Sequence, residues 1–275
     1  MQAIAREMAF SETTFIMPAE SPGTDIRMRI FTPGLELPMA GHPTIGSTFA
    51  LAQVGMIKPG SERFVFGLGV GPTPVALEWE ASTEPGQAAT RRLRFAWMTQ
   101  RTPEFGPAVT DTQVVAVGLR VRRADFAGDI PIQPVSCGVP FLFVPMATRA
   151  AVDRAVSEAG PLRRLGETIG LNLPVFLFTT EAGDPEATVY SRMFSPHFDI
   201  AEDPATGGAS GPLGSYLVRY GLVRGDAQQL ILGLQGHAMG RPSRIHIRIG
   251  GTRDEITSVE IGGEAVLVAR GEMIV

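Results

Sequence analysis

With 275 residues, 44% hydrophobic and 19% charged, the chain is long enough for two hydrophobic cores, and its 32 Gly and 22 Pro suit many short strands and turns. A formal charge of −4, with Lys and Arg scattered among Asp and Glu, provides no basic face for a phosphate backbone and excludes nucleic acid as an expected partner. No apolar run reaches membrane-spanning length, the first residues lack the pattern of a secretory leader, and the lone Cys137 permits no internal disulfide, so a reducing cytoplasm with no membrane partner is expected.

The elements read in order as follows. Ile4, Met8 and Phe10 stand at near-helical spacing, and Thr13 to Met17 is β-branched and apolar, which predicts a helix end and then a strand, with Ser11-Glu12-Thr13 between them. Residues 26–32 alternate as a half-buried strand should. A helix over 44–54 follows the Gly41-His42-Pro43-Thr44 turn, with almost no polar face, and such a helix is expected to be buried on every side. Strands are predicted at 61–68, 74–80 and 92–98, with a turn-rich gap at 81–90. Residues 114–119 fit a short helix and a short strand equally. Further on come strands at 131–138 and 140–146, a helical stretch over 149–171, strands at 175–182 and 188–195, a second buried helix at 213–220, and strands at 229–236, 244–250 and the closing 258–275.

Much of this is said twice. Residues 29–51 return in degenerate form as 192–217: both copies open with Arg-x-Phe-[Thr/Ser]-Pro, pass an acidic residue and a proline (Glu36 and Pro38, Glu202 and Pro204), and enter a Gly-rich turn at Gly41 or Gly207. Each then runs through Gly-Ser into an apolar helix that stops at Gly55 or Gly221. The expected architecture is α+β, a curved sheet wrapped around an apolar helix, twice, with a cleft between. Residues 1–112 would form one half, with 258–275 as a candidate completion, and 113–257 the other.

Unpaired first-turn N–H groups and a partial positive charge make a helix N-terminus an anion site. The two turns, Gly41, Pro43 and Thr44 in one copy and Thr206, Gly207, Gly208, Ala209 and Ser210 in the other, are built of residues small enough for a ligand to reach the backbone, so a small carboxylate is expected there. The bland alternative is that they only punctuate helix starts. His42 has no counterpart, since Gly208 holds the matching place, and it reads either as a cap or as an acid, base or substrate ligand. Asp203 reads either as a helix cap or as a holder of a substrate amino group. Glu12, from chemistry alone, reads as a solvated capping residue. His197, His237 and His246 share no spacing with acidic or thiol residues and read as surface or packing groups; no metal site is expected. Cys137, in an apolar strand, reads as core.

Four blocks in order, Ser11-Glu12-Thr13, Gly41-His42-Pro43-Thr44, Asp203-Pro204-Ala205-Thr206-Gly207 and Gln235-Gly236-His237-Ala238-Met239-Gly240-Arg241-Pro242-Ser243, resemble the signatures of the PhzF-like phenazine-biosynthesis isomerase family. The resemblance implies the diaminopimelate epimerase-like fold, two similar halves each with a barrel-like, mostly antiparallel sheet around a central buried helix, and a homodimer. It also implies a cofactor-free isomerisation, in the phenazine enzymes that of trans-2,3-dihydro-3-hydroxyanthranilate, with a glutamate moving a proton between ring carbons. Glu12 matches that glutamate, which reverses the bland reading, and His42 and Asp203 match further catalytic positions that bind or polarise the substrate.

Gly208 stands where the phenazine enzymes carry a serine, which weakens the case for their substrate. Family members also carry a strand and a Gly-Asn-Pro loop ahead of the helix at which this chain starts, so an open sheet edge is expected in the first half. Ala40 and Pro204 stand where two-thiol epimerases carry cysteine, which disfavours two-thiol racemisation. The expected function is therefore a cofactor-independent isomerase acting on a small carboxylate that is amino-acid-like or cyclic; the alternatives are a catalytically silent binding protein and an epimerase that uses a carboxylate and a histidine.

Overall fold

The computed structural model describes residues 1–82, 90–196, 200–223 and 229–273. The gap expected at 81–90 and His197 therefore fall largely or wholly outside the described residues. A short helix α1 (Gln2–Met8) leads into strands β1 (Thr13–Pro18), β2 (Ile26–Phe31) and β3 (Glu36–Leu37), then α2 (Gly41–Gln53), β4 (Arg63–Leu68), β5 (Gly71–Ser82), β6 (Thr90–Gln100) and β7 (Glu104–Phe105). There follow α3 (Thr112–Leu119), β8 (Gln133–Ser136), β9 (Pro140–Pro145), α4 (Arg149–Arg154), α5 (Ala159–Ile169), β10 (Val175–Thr179), β11 (Val189–Ser195) and β12 (Ile200–Asp203). The chain ends with α6 (Gly207–Arg219), β13 (Gln229–Gln235), β14 (Ser243–Gly251) and β15 (Ile256–Gly263).

Among the described residues the strands join in one sheet of order β1-β2-β4-β5-β6-β15-β14-β13-β11-β10-β9-β8-β7, with β3 added to β2 and β12 to β11. Most pairings are antiparallel, with parallel contacts at β2–β4, β9–β10 and β11–β13. β15 pairs with β6 on one side and β14 on the other, so the sheet is continuous between the element sets that carry α2 and α6.

The repeat has a structural basis. In both copies the Arg-x-Phe arginine lies over the ring two residues on, Arg29 at 5.1 Å from Phe31 and Arg192 at 4.7 Å from Phe194. Each guanidinium also forks onto the acidic residue of the neighbouring short strand, Glu36 or Glu202. The surroundings differ. Arg192 is buried and also donates to the Val152, Asp153 and Ala155 carbonyls at the end of α4, whereas the Arg29–Glu36 pair stays open to solvent.

Both helices end as their glycines require: Gly55 and Gly221 take φ 78° and 64°, the left-handed region open to glycine. α6 is enclosed through Leu217. A Cβ on Gly214 would stand 2.6 Å from Ile247 of β14, so glycine here lets the helix press onto the sheet. Phe143 and Phe178 pack on Tyr216 from the other side, each such ring worth about 2–3 kcal/mol of burial.

α2 departs from the expectation of burial on every side. Phe49 is half-buried, Ala50 is exposed, and no atom comes within 4 Å of where a Gly46 side chain would begin. The physical reason is a groove left between Phe49 and Ala52, the Trp79 and Leu93 ends of β5 and β6, and the segment Ala265–Val268. That segment belongs to the closing run expected as strand, but pairing stops at Gly263 and Val266 and Val268 stand exposed. The expected helical stretch over 149–171 is broken as well. Ala155 takes an extended ψ of 141°, and a second helix starts at Ala159. The undecided run at 114–119 is helical, with Val115, Ala116 and Leu119 on its buried face and Asp111 capping its start.

Candidate active site

The two helix starts meet. The N-caps of α2 and α6 are Ala40 and Thr206, and neither supplies a side-chain cap, so the first-turn N–H groups are left for other partners. A Cβ on Gly207 would stand 2.7 Å from Gly41 Cα, so the two backbones touch at a glycine pair. Two partial positive ends therefore face one place.

Glu12 reaches this place from α1. The helix turns off at Ala9 with φ 52°, and the Gln2 amide donates to the Thr32 and Pro33 carbonyls at the end of β2. With Thr13 then pairing opposite Phe31, Glu12 is set at the mouth of β1 with its side chain 8% exposed.

His42, in the first turn of α2, has Nδ1 at 2.8 Å from the Ala205 carbonyl. A carbonyl only accepts, so Nδ1 carries a proton and Nε2 is left facing Glu12 Oε2 at 3.1 Å. The approach is close but not aligned as a hydrogen bond, and Glu12 Oε2 keeps no other partner. In the neutral ring Nε2 would be a lone pair opposite a carboxylate, so one mobile proton belongs to the pair. Burial raises the Glu12 carboxyl, but the His42 contact outweighs it and holds the group below the ordinary value. Burial lowers the His42 imidazolium, and Glu12, with Asp203 behind it, more than compensates and holds it above the ordinary value. The ring lies deep in the molecule yet keeps an edge open to a cavity.

Asp203, 4% exposed, ends β12 and does not cap α6. Its Oδ2 accepts from the Thr206 hydroxyl at 2.6 Å, while Oδ1 has no partner. The direction of that hydroxyl is imposed by Gln235, fully buried at the end of β13. Its Nε2 donates to Thr206 Oγ1 and to the Asp203 carbonyl, and its Oε1 accepts from the Thr206 N–H. With a donor already on Oγ1, the Thr206 proton goes to Asp203. Burial holds the Asp203 carboxyl above its ordinary value, the His42 charge offsetting part of this.

A cavity of about 310 Å³ brings together Glu12, Gly41, His42, Asp203, Thr206, Gly207 and Gly208. Pro43, Thr44, Ala209 and Ser210, expected beside the ligand, are not on its wall. The Thr44 and Ser210 hydroxyls donate to the Ala40 and Thr206 carbonyls one turn back, and all four residues are buried, because the side chains of a helix's first turn rotate away from the axis along which its N–H groups point. His237 packs against Tyr190 and His246 against Phe95. Burial pushes the Cys137 thiol up to about 12, in keeping with a core residue.

Two positioning residues escaped sequence reasoning. Gln235 opens the fourth signature block, and that place was its one signal. Gln100, whose Nε2 donates to the Gly207 carbonyl at 3.0 Å, had none.

The family model described as phenazine biosynthesis-like protein, PhzC-PhzF, matches residues 1–271. The chain belongs to the PhzF family. An uncharacterized isomerase of Mesorhizobium japonicum is 32% identical over 281 residues, spanning all of this chain and 88% of the relative. The trans-2,3-dihydro-3-hydroxyanthranilate isomerase of Pseudomonas aeruginosa is also 32% identical, over 98% of this chain and 87% of its own length. A PhzF-family crystal structure from Bacillus anthracis superposes with TM-score 0.84 at 26% identity, spanning all of this chain and 88% of that one. This PhzF-family chain thus has the α+β fold of an epimerase-like isomerase and is an enzyme of the isomerase class. No helix of the described residues is long and apolar enough to cross a membrane.

Proposed function

We propose that this PhzF-family enzyme moves one proton between two carbons of a small carboxylate, with Glu12 as both base and acid. The observation that carries the reading is the Glu12–His42 pair: a carboxylate whose Oε2 has no aligned donor, on a residue of the cavity wall, beside an imidazole whose other nitrogen is tied to Ala205. Glu12 takes a proton from a carbon next to a double bond. The C–H electrons become a new double bond, the old one shifts its electrons to the far carbon, and Glu12 returns the proton there, with no net oxidation. His42 in its cationic form holds Glu12 ionised before the transfer. The helix ends that meet at Gly41 and Gly207 hold the substrate carboxylate and the charge that builds on it.

Glu12 and His42 touch each other, which supports a single acid/base group over an epimerase whose two bases stand on opposite faces of one carbon. The further reading of a cytoplasmic homodimer rests on the family resemblance and the single cysteine; sedimentation equilibrium reports its dimer part.

The test is proton exchange followed by NMR in deuterated water, with a panel of unsaturated cyclic carboxylates and amino acids. The parent protein is expected to label a substrate carbon, and Glu12→Gln to do so at least about 100-fold more slowly. Equal labelling by both proteins overturns the role of Glu12. Binding without labelling anywhere in the panel favours a silent binding protein.

A further inference from the structure

We propose that Gln100 is a positioning residue of this site: by donating to the Gly207 carbonyl it ties the first turn of α6 to the first half of the chain and strengthens the Gly208 N–H as a donor to the substrate carboxylate. The inference rests on the functional reading above for the place where that carboxylate binds.

Gln100 ends β6, pairs opposite Val259 of β15 and is buried, yet it is not a residue of the cavity wall. It acts through α6. Its Nε2 donates to the Gly207 carbonyl at 3.0 Å, and its buried Oε1 has no donor among the described residues. The two atoms cannot exchange places, since Oε1 would then oppose a carbonyl oxygen at that distance. Gly211 makes the approach possible: a Cβ there would fall on Gln100 Oε1 and stand 2.7 Å from Val259. The first half of the chain therefore grips α6 at the same residue, Gly207, that touches Gly41.

The helix does not need this bond. Gly207 is the first residue of α6, and the helical partner of its carbonyl is the Gly211 N–H, four residues on. A leucine of similar size would leave that pair intact and remove the unpaired Oε1, so stability alone does not favour an amide here. The other end of the same peptide unit supplies a reason. The bonds that open α6 run from the Ala209 and Ser210 N–H groups to the Thr206 carbonyl, so the Gly208 N–H precedes them and is left for a ligand. Gly207 and Gly208 both line the cavity. A donor on the oxygen of a peptide polarises its N–H, as along any chain of hydrogen bonds. Gln100, the Gly207–Gly208 peptide and a bound carboxylate complete such a chain, running from β6 to the ligand.

The experiment is NMR on the full chain with glycine labelled at its carbonyl carbon and nitrogen, so that carbonyl-to-amide correlation reports glycine pairs alone. The sequence has three, 207–208, 250–251 and 262–263, and the first is identified by its loss in Gly208→Ala. Benzoate is titrated as the probe carboxylate. In the parent the Gly208 N–H signal is expected to move downfield as benzoate binds. In Gln100→Leu it is expected to start further upfield and to need at least about threefold more benzoate, with a melting temperature no lower than the parent's. Gln100→Glu carries a donor only when protonated, and burial raises that carboxyl. Its affinity relative to the parent is expected to recover from pH 8.5 to pH 5, while the Gln100→Leu deficit stays constant. Unchanged affinity in Gln100→Leu overturns the proposal, as does a parent Gly208 signal that benzoate does not move. A deficit that comes with lost stability and does not recover in Gln100→Glu at low pH also overturns it, because the amide is then only structural. Weakened benzoate binding in Gln100→Leu, with no deuterium exchange by the parent on any compound, leaves the role of Gln100 standing and removes the isomerase step. Exchange that depends on Glu12 but not on Gln100 does the opposite.

Discussion

Gly41 and Gly207, the first residues of two helices from separate repeats, meet backbone to backbone with no room for a side chain on either. Gly41→Ala drives a methyl into the Gly207 backbone, which cannot yield as a flexible side chain would, so a loss of about 3 kcal/mol or more is expected in urea unfolding. Gly46→Ala, in the same helix with open space beside it, is expected to gain about 0.5–1 kcal/mol from helix propensity. Equal effects of the two would show that the glycine contact does not set the helix positions.

The Glu12–His42 pair makes stability depend on pH in a defined window. His42 is raised above 6.5 in the folded protein, so its contribution is complete below that value and fades as pH rises through the raised pKa. Glu12 is lowered below 4.5, so its contribution is complete above that value and fades as pH falls through the lowered one. Asp203 faces the same ring and, being raised above 3.8, opposes folding more as it ionises. The melting temperature of His42→Gln is therefore expected to lag the parent's most near pH 5.5, with the gap narrowing by pH 8.5. A gap that widens with pH contradicts this assignment.

Gln235→Leu removes the group that satisfies the Thr206 N–H and the Asp203 carbonyl, both buried. Two stranded backbone groups at about 1–3 kcal/mol each predict a loss of roughly 3 kcal/mol in urea unfolding. Gln113→Leu, on an exposed side chain at the start of α3, is the control expected to change little.

The two repeat arginines should differ in weight although their motif is the same. Arg192→Ala leaves Glu202 half-buried and unpaired and the α4 carbonyls open, so a loss of about 3–5 kcal/mol is expected by calorimetric melting. Arg29→Ala breaks a pair open to solvent and is expected to leave the melting temperature nearly unchanged. Matching losses would mean that the first copy is covered in solution.

Strand positions, and the end of α6, were legible wherever the local pattern ran undisturbed, as at β2, β4 and β9, because the alternation that marks a strand and the glycine that stops a helix lie within a few residues of one another; α6 itself starts at Gly207, six residues ahead of the expected 213, because its first turns are built of small residues without an apolar period. The break after Ala155 was missed although Gly160-Pro161, in the first turn of α5, is the local signal for a new helix start within that run. The reading of α2 as wholly buried failed for a different reason: composition says that a helix is apolar, not whether a sheet covers it.

The repeat, the two glycine-built helix starts and the family signatures belong to the sequence alone, which thereby determined an epimerase-like isomerase with two glycine-built helix starts. The signatures also named Glu12, His42 and Asp203, but how these side chains meet was decided only by tertiary structure. Glu12 lies outside the repeat, His42 has no counterpart in it, and Ala205, Asp203 and Gln235 come from the other half of the chain. Their relation depends on backbones that touch at Gly41 and Gly207 and on a buried amide that turns one hydroxyl. Hydrophobic periodicity is encoded locally, but the direction of a hydrogen bond between distant segments exists only once the core has packed.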